Sequence, residues 1–155
     1  MSKILVSYFS ASGVTKNKAK EIANILNSTL DEILPSKLYS EDDLDWRNKN
    51  SRSTLEMKDE KSRPEFIKSN VNPEDFDIIF IGFPIWWGVE PRIIDTYLDT
   101  YDLKGKTIIP FATSGGSPMG YCDQHLQKLY PNLNIKNGLL LNFGVEKDEI
   151  LKIVK

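Results

Sequence analysis

The chain has one cysteine and one histidine in its 155 residues, Cys122 and His125. A lone cysteine has no intramolecular disulfide partner, and one Cys with one His cannot supply a cysteine-rich zinc site. Long apolar runs are missing too, since no stretch approaches the roughly 18 residues that read as a membrane span. Met1-Ser2-Lys3 leads into Ile4-Leu5-Val6, and polar residues return too soon for a signal-peptide core. The reading is a full-length soluble chain in a reducing cytoplasm. An excess of one charge is also lacking: 20 basic side chains against 22 acidic ones leave a formal charge of -2. Such a balance exerts no long-range pull on nucleic acid or an anionic membrane, so neither partner is expected.

What is present is ordinary for one globular domain: 40% hydrophobic and 27% charged residues. A chain of this length buries roughly two-thirds of its unfolded surface, enough for a single core. No linker or repeat divides it, and one domain over residues 1–155 is expected.

Ile4, Leu5, Val6, Tyr8 and Phe9 form a β-rich run that ends at Ser10-Ala11-Ser12-Gly13. From Thr15 onward Ala19, Ile22, Ala23, Leu26 and Leu30 recur at helical spacing. Asp31 to Leu34 suggests a brief second strand stopped by Pro35. Asp77 to Phe83 is apolar on both faces, as a strand covered from two sides requires, and stops at Pro84. Pro91 opens a helix carrying Ile94, Tyr97, Leu98 and Tyr101. Thr107 to Ala112 repeats the strand pattern, although Pro110 lacks a ladder donor. Met119, Cys122, Leu126 and Leu129 mark another helix, Gly138 to Leu141 a last strand, and Ile150, Leu151 and Val154 a final helix. Residues 36–72 are polar and charged, with Trp46 and a weak helical pattern near Ser53 to Glu60. The alternation predicts a mainly parallel sheet with helices on both faces. Ligands in such folds sit beyond the carboxyl ends of the strands, where the winding reverses.

Three loops lie there. Ser10, Ser12 and Thr15 supply hydroxyls, and Gly13 eases a tight turn into a helix whose first amides would suit a dianion; the same residues also serve simply to turn and cap a helix. The loop has no Lys, so it is not the nucleotide loop ending in Gly-Lys-Ser/Thr, and the Gly-x-Gly-x-x-Gly pattern is absent. No cysteine nucleophile with a following Arg is there to cleave a phosphoester, so binding is favoured over hydrolysis. Pro84-Ile85-Trp86-Trp87-Gly88 brings two indoles to a strand end, either to stack on a planar ring or to pack beneath the next helix. Thr113-Ser114-Gly115-Gly116-Ser117-Pro118 offers hydroxyls and compliant amides to a polar ring edge, or is an ordinary flexible loop.

With these three loops the chain resembles the flavodoxin family, in particular its branch with a Pro-x-Trp-Trp-Gly loop, over nearly the full length. The resemblance implies a doubly wound five-stranded parallel sheet of order 2-1-3-4-5 and one non-covalent FMN. It places the FMN phosphate on Ser10, Ser12, Gly13, Val14 and Thr15. Pro84, Trp86, Trp87 and Gly88 are implied around the isoalloxazine, with Thr113, Ser114, Gly115, Gly116 and Ser117 along its edge. Two departures stand out. Val14 replaces the Asn common in the family, removing one side-chain contact, and no tyrosine lies between Thr113 and Pro118 to make a second aromatic wall.

The resemblance implies low-potential electron transfer between redox proteins, such as a flavodoxin reductase and acceptor enzymes. Carriers of this kind tend to be strongly acidic, unlike this chain. An FMN-dependent NAD(P)H or quinone reductase on the same fold is the alternative, with small quinones as substrates. A further alternative is an FMN-binding or protein-interaction module with no electron-transfer role, using Trp46 and its surroundings. No catalytic residue and no metal ligand is assigned. His125 is expected on a solvated helix position, Cys122 buried and inert, and Asp42, Asp43, Asp45, Glu56, Asp59 and Glu60 on a wet surface.

Overall fold

Strand β1 (Ile4–Tyr8) is the hinge of the architecture, because the chain adds strands first on one side of it and then on the other. The computed structural model describes residues 3–114, 119–142 and 144–154. Helix α1 (Val14–Leu26) carries the chain to β2 (Thr29–Glu32), which pairs parallel with one edge of β1. A short antiparallel ladder of β3 (Leu34–Pro35) and β4 (Phe66–Ile67) stands apart from the sheet and brackets α2 (Arg52–Lys58). The chain then returns as β5 (Ile78–Pro84) on the opposite edge of β1. After α3 (Arg92–Thr100) comes β6 (Thr107–Thr113) beside β5. Helix α4 (Gly120–Leu129) precedes β7 (Asn134–Ile135) and β8 (Leu139–Leu140), both paired parallel with β6, and α5 (Lys147–Ile153) closes the chain. The order β2-β1-β5-β6 with β7 and β8 outermost is the expected winding.

Side-chain alternation along β5 shows why both faces are filled. Ile79, Ile81 and Phe83 enter one core with Leu5, Ile93, Ile94 and Tyr97, while Ile78 and Phe80 enter a second with Val6, Ile22, Phe111 and Ile150. A strand buried on both sides reads as a continuous apolar run, as this one does. Ser7 is the polar exception in β1, and its Oγ lies 2.9 Å from the Tyr97 hydroxyl, which removes the cost of burying it.

The fifth position of the sheet is split between two short strands instead of the single strand expected over 138–141. The Ile108 carbonyl accepts from the Lys136 amide and the Ala112 carbonyl from the Leu141 amide, so alternate β6 residues face this edge. Pro110 lies between them and has no N–H to give. At that point Gly138 comes close: a Cβ on Gly138 would lie 2.5 Å from the Pro110 carbonyl oxygen. The ladder breaks where its donor is missing, and glycine allows the outer chain to press against the gap.

The second strand also begins two residues earlier than expected, and Leu34 leaves it to join β3. The polar stretch 36–72 is ordered by side chains. Ser51 Oγ caps α2 on the Thr54 amide, and Arg52 reaches back to the Lys37 carbonyl at 2.7 Å. Trp46 stays 70% exposed. Among the described residues no helix is long and apolar enough to cross a membrane.

Candidate functional site

The first loop enters α1 through Gly13, whose φ of 94° lies in the region glycine adopts at no steric cost. Ser10 Oγ accepts from the Gly13 amide at 3.0 Å and the Lys16 amide at 3.2 Å, pinning the loop to the helix start. The Val14 and Thr15 amides have no acceptor among the described residues, as expected of a first helical turn. No acidic side chain sits in that turn to compete for the positive end of the helix. Ser12 is exposed, and Val14 is 50% exposed. Thr15 is buried, with its hydroxyl 2.9 Å from that of Thr113 at the end of β6.

The second loop is a tight hairpin. The Trp86 amide donates to the Val89 carbonyl at 3.0 Å and the Val89 amide to the Trp86 carbonyl at 3.1 Å. Trp87 (φ 51°) and Gly88 (φ 82°) occupy the two central positions, both left-handed, as such two-residue turns require. The two indoles part company here. Trp86 packs edge-on against Phe9, with ring centroids 5.7 Å apart, and against Tyr39 at 5.5 Å, so it fastens the turn to the core. Trp87 projects at the tip, 50% exposed. The Cys122 thiol donates to the Gly88 carbonyl at 3.4 Å and ties the turn to α4. Cys122 is fully buried as expected, and its thiol is pushed up to about 12 by burial and by the nearby Glu90 and Asp123 carboxylates.

Pro84 is partly buried at the end of β5, and the Ile85 amide continues the ladder to the Thr113 carbonyl at 2.8 Å. The second and third loops therefore leave the sheet side by side. The Ser114 amide donates to Asn142 Oδ1 at 2.8 Å, a partner that sequence reasoning had no spacing signal to find. Gly115, Gly116 and Ser117 lie outside the described residues.

Sequence reasoning also missed a buried ionic network behind the second loop. Glu90 and Asp95 are fully buried and Arg92 almost so. Arg92 Nη2 donates to the Met57 carbonyl at 2.8 Å, and its Nη1 lies 3.8 Å from Asp95 Oδ2. Burial, followed by the hydrogen bond and charge of Glu90, holds the Asp95 carboxyl well above the usual carboxylate range, so it stays protonated at neutral pH. His125 is not the solvated helix residue expected. Its Nδ1 lies 2.9 Å from both Glu90 oxygens and its Nε2 3.1 Å from Glu60 Oε1. The hydrogen bond to Glu90, opposed in part by burial, raises its pKa above the ordinary value. Glu56, expected on a wet surface, instead accepts from the Tyr39 hydroxyl and from Arg52.

Loops one and two and the first residues of loop three, Thr113 and Ser114, thus converge at the carboxyl ends of β1, β5 and β6. They present free helix amides, hydroxyls, an exposed indole and two turns with positive φ. Known proteins share this fold. A flavoprotein from Lactobacillus acidophilus, solved in complex with FMN, is 27% identical, with a TM-score of 0.78 and 100% of both chains covered. A candidate flavoprotein from Bacteroides eggerthii is 46% identical, with a TM-score of 0.94 over 99% of this chain and 96% of that one. Another from Bacteroides uniformis is 44% identical, with a TM-score of 0.91 over 99% and 97%. No curated protein sequence matches. The family model described as Flavodoxin matches residues 3–155, and the chain therefore belongs to the flavodoxin family.

Proposed function

We propose that this chain carries electrons on one FMN, held across the carboxyl ends of β1, β5 and β6, and passes them between redox proteins. The observation that carries this reading is the convergence of a phosphate-competent helix start and an exposed indole on the adjacent ends of β1 and β5, with the Thr15–Thr113 contact tying the helix start to the end of β6. The FMN complex of the Lactobacillus acidophilus flavoprotein supports it.

The residues fit the cofactor. A phosphate dianion suits the unpaired Val14 and Thr15 amides and the Ser10, Ser12 and Thr15 hydroxyls, with Gly13 keeping the approach free of a Cβ. Trp87, half exposed at the tip of its turn, offers one face of its indole to the isoalloxazine and leaves the other towards α4, and Pro84 and Gly88 stand at the same strand end. Thr113 and Ser114, at the end of β6, stand beside them for the ring edge. Trp86 contributes by holding the turn through Phe9 and Tyr39. When bound, the flavin supplies the one- and two-electron chemistry, while these side chains bind it, orient it and shield it from water.

Its proposed partners are a flavodoxin-reductase-type donor and acceptor enzymes of the cytoplasm, docking with little long-range steering given a net charge of -2. The test is anaerobic stepwise reduction of the purified protein, followed by absorbance. The expected result is one flavin per chain, reduced by a flavoprotein reductase and reoxidised by a second redox protein. Rapid multiple turnover with NAD(P)H alone and a quinone would make the chain a reductase instead.

A further inference from the structure

Beside the Trp87 turn, on its α4 side, lies a cavity of about 510 Å³ lined by Trp87, Val89, Tyr121, Gln124, His125 and Lys128, with Gly88 at its edge. Its size falls in the range of small-molecule sites, and its walls combine two exposed aromatic rings with a few polar ends. Both cations along it are poised for an anion. Lys128 makes no ion pair within 4 Å among the described residues, although its charge is felt at the Glu60 carboxylate. His125 has a carboxylate at each ring nitrogen, an arrangement that favours the doubly protonated, cationic ring. One of those carboxylates, Glu90, is fully buried and fixed; the other, Glu60, has a side chain 72% exposed and only rests on Nε2.

We propose that this cavity binds a small planar aromatic anion, whose charge takes the place of Glu60 on His125 Nε2 and faces Lys128 while its ring lies between Trp87 and Tyr121. The exchange is inexpensive because a mostly solvated carboxylate returns to water as another anion replaces it. Glu90 stays behind to keep the imidazole charged. The groups around His125 agree with this: Glu90 before α3, Glu60 after α2 and Lys128 on α4, with Arg92 opposing its charge from α3 and Asp95 neutral behind Glu90. The site goes beyond the FMN reading and does not require it.

The probe is naphthalene-2-sulfonate, redox-inert and charged throughout, titrated calorimetrically into the whole chain before and after saturation with FMN. Binding is expected in both states, with naphthalene-2-sulfonamide, its uncharged counterpart, binding more weakly. His125→Gln should weaken sulfonate binding about tenfold, the size of a lost charged hydrogen bond. Lys128→Gln, at an exposed position, should weaken it in the same direction and serves if the His125 variant does not fold. Glu60→Gln should tighten it. Affinity should fall as pH rises through the raised value of His125, and should fall at lower pH in Glu60→Gln, which loses one carboxylate that raises that value. No binding, equal affinity for the sulfonamide, indifference to both cation substitutions, or loss of binding once FMN is present would overturn the proposal. Failure to bind FMN itself would be read in the separate FMN titration and leaves this outcome independent.

Discussion

The hydroxyls of Thr15 and Thr113 lie 2.9 Å apart and buried, where α1 begins and β6 ends, so a hydrogen bond between them joins the first and third loops. Thr15→Val leaves the Thr113 hydroxyl without this partner and should cost about 1–2 kcal/mol in urea unfolding. The same change should weaken FMN binding about tenfold, through the lost hydroxyl and the loosened loop. Thr113→Val should show the same stability loss, and the double variant less than the sum of the two. Additive stability losses would mean that the two hydroxyls are not coupled.

At the split in the outer strand, Gly138→Ala places a Cβ 2.5 Å from the Pro110 carbonyl oxygen and 2.5 Å from Met119 Cε. The methionine end can move, but the β6 backbone cannot. A loss of about 2–3 kcal/mol is expected in urea unfolding, at the upper end of overpacking costs. Alanine tolerated without loss would show that the break is loose.

The Trp86–Val89 turn separates strain from binding. Trp87 is a non-glycine residue at φ 51°, a conformation that asparagine accepts far more readily. Trp87→Asn should therefore keep or raise stability, by up to about 1 kcal/mol, while weakening FMN binding through loss of the exposed ring. Gly88→Ala, at φ 82°, should instead lower stability by about 1 kcal/mol. Unfolding curves and FMN titrations of the two variants, compared pairwise, check the opposed directions.

Asp95 gives the fold a dependence on pH. Burial first, and Glu90 second, push its carboxyl up to about 9, above the ordinary 3.8. The proton is held more tightly in the folded state, so this group's contribution is intact below 3.8 and is lost as pH rises towards about 9. Asp95→Asn removes that titration. Its stability relative to the parent chain should grow steadily with pH across this window and level off above it, measured by urea unfolding at a series of pH values. A difference that does not vary with pH would show that Asp95 does not titrate there.

How much of this was legible in the sequence depends on how local each determinant is. The runs that became β1, β5 and β6, and the helix stripes after them, depend on short-range periodicity and stood out. The three loops at their ends followed from that order. The ladder of β3 and β4 was not legible, because two residues from each side carry no period and their pairing joins Leu34 with Ile67. The split of the fifth strand was half legible. Pro110 announced a missing donor, but only the fold shows that it points to Gly138. Glu90 and His125 are 35 positions apart, and nothing in either neighbourhood announces that one carboxylate grips the other's ring. The two tryptophans were equal as sequence; tertiary packing against Phe9 and Tyr39 divides their tasks.

The central claim is that a dianion settles at the opening of α1 while a flat ring meets Trp87. Calorimetric titration of FMN into the folded, purified chain tests it most directly. The account predicts one FMN per chain, with affinity reduced in both Thr15→Val and Trp87→Asn. Folded protein that gives no binding heat with FMN at several temperatures, and no flavin retained on gel filtration, would contradict it.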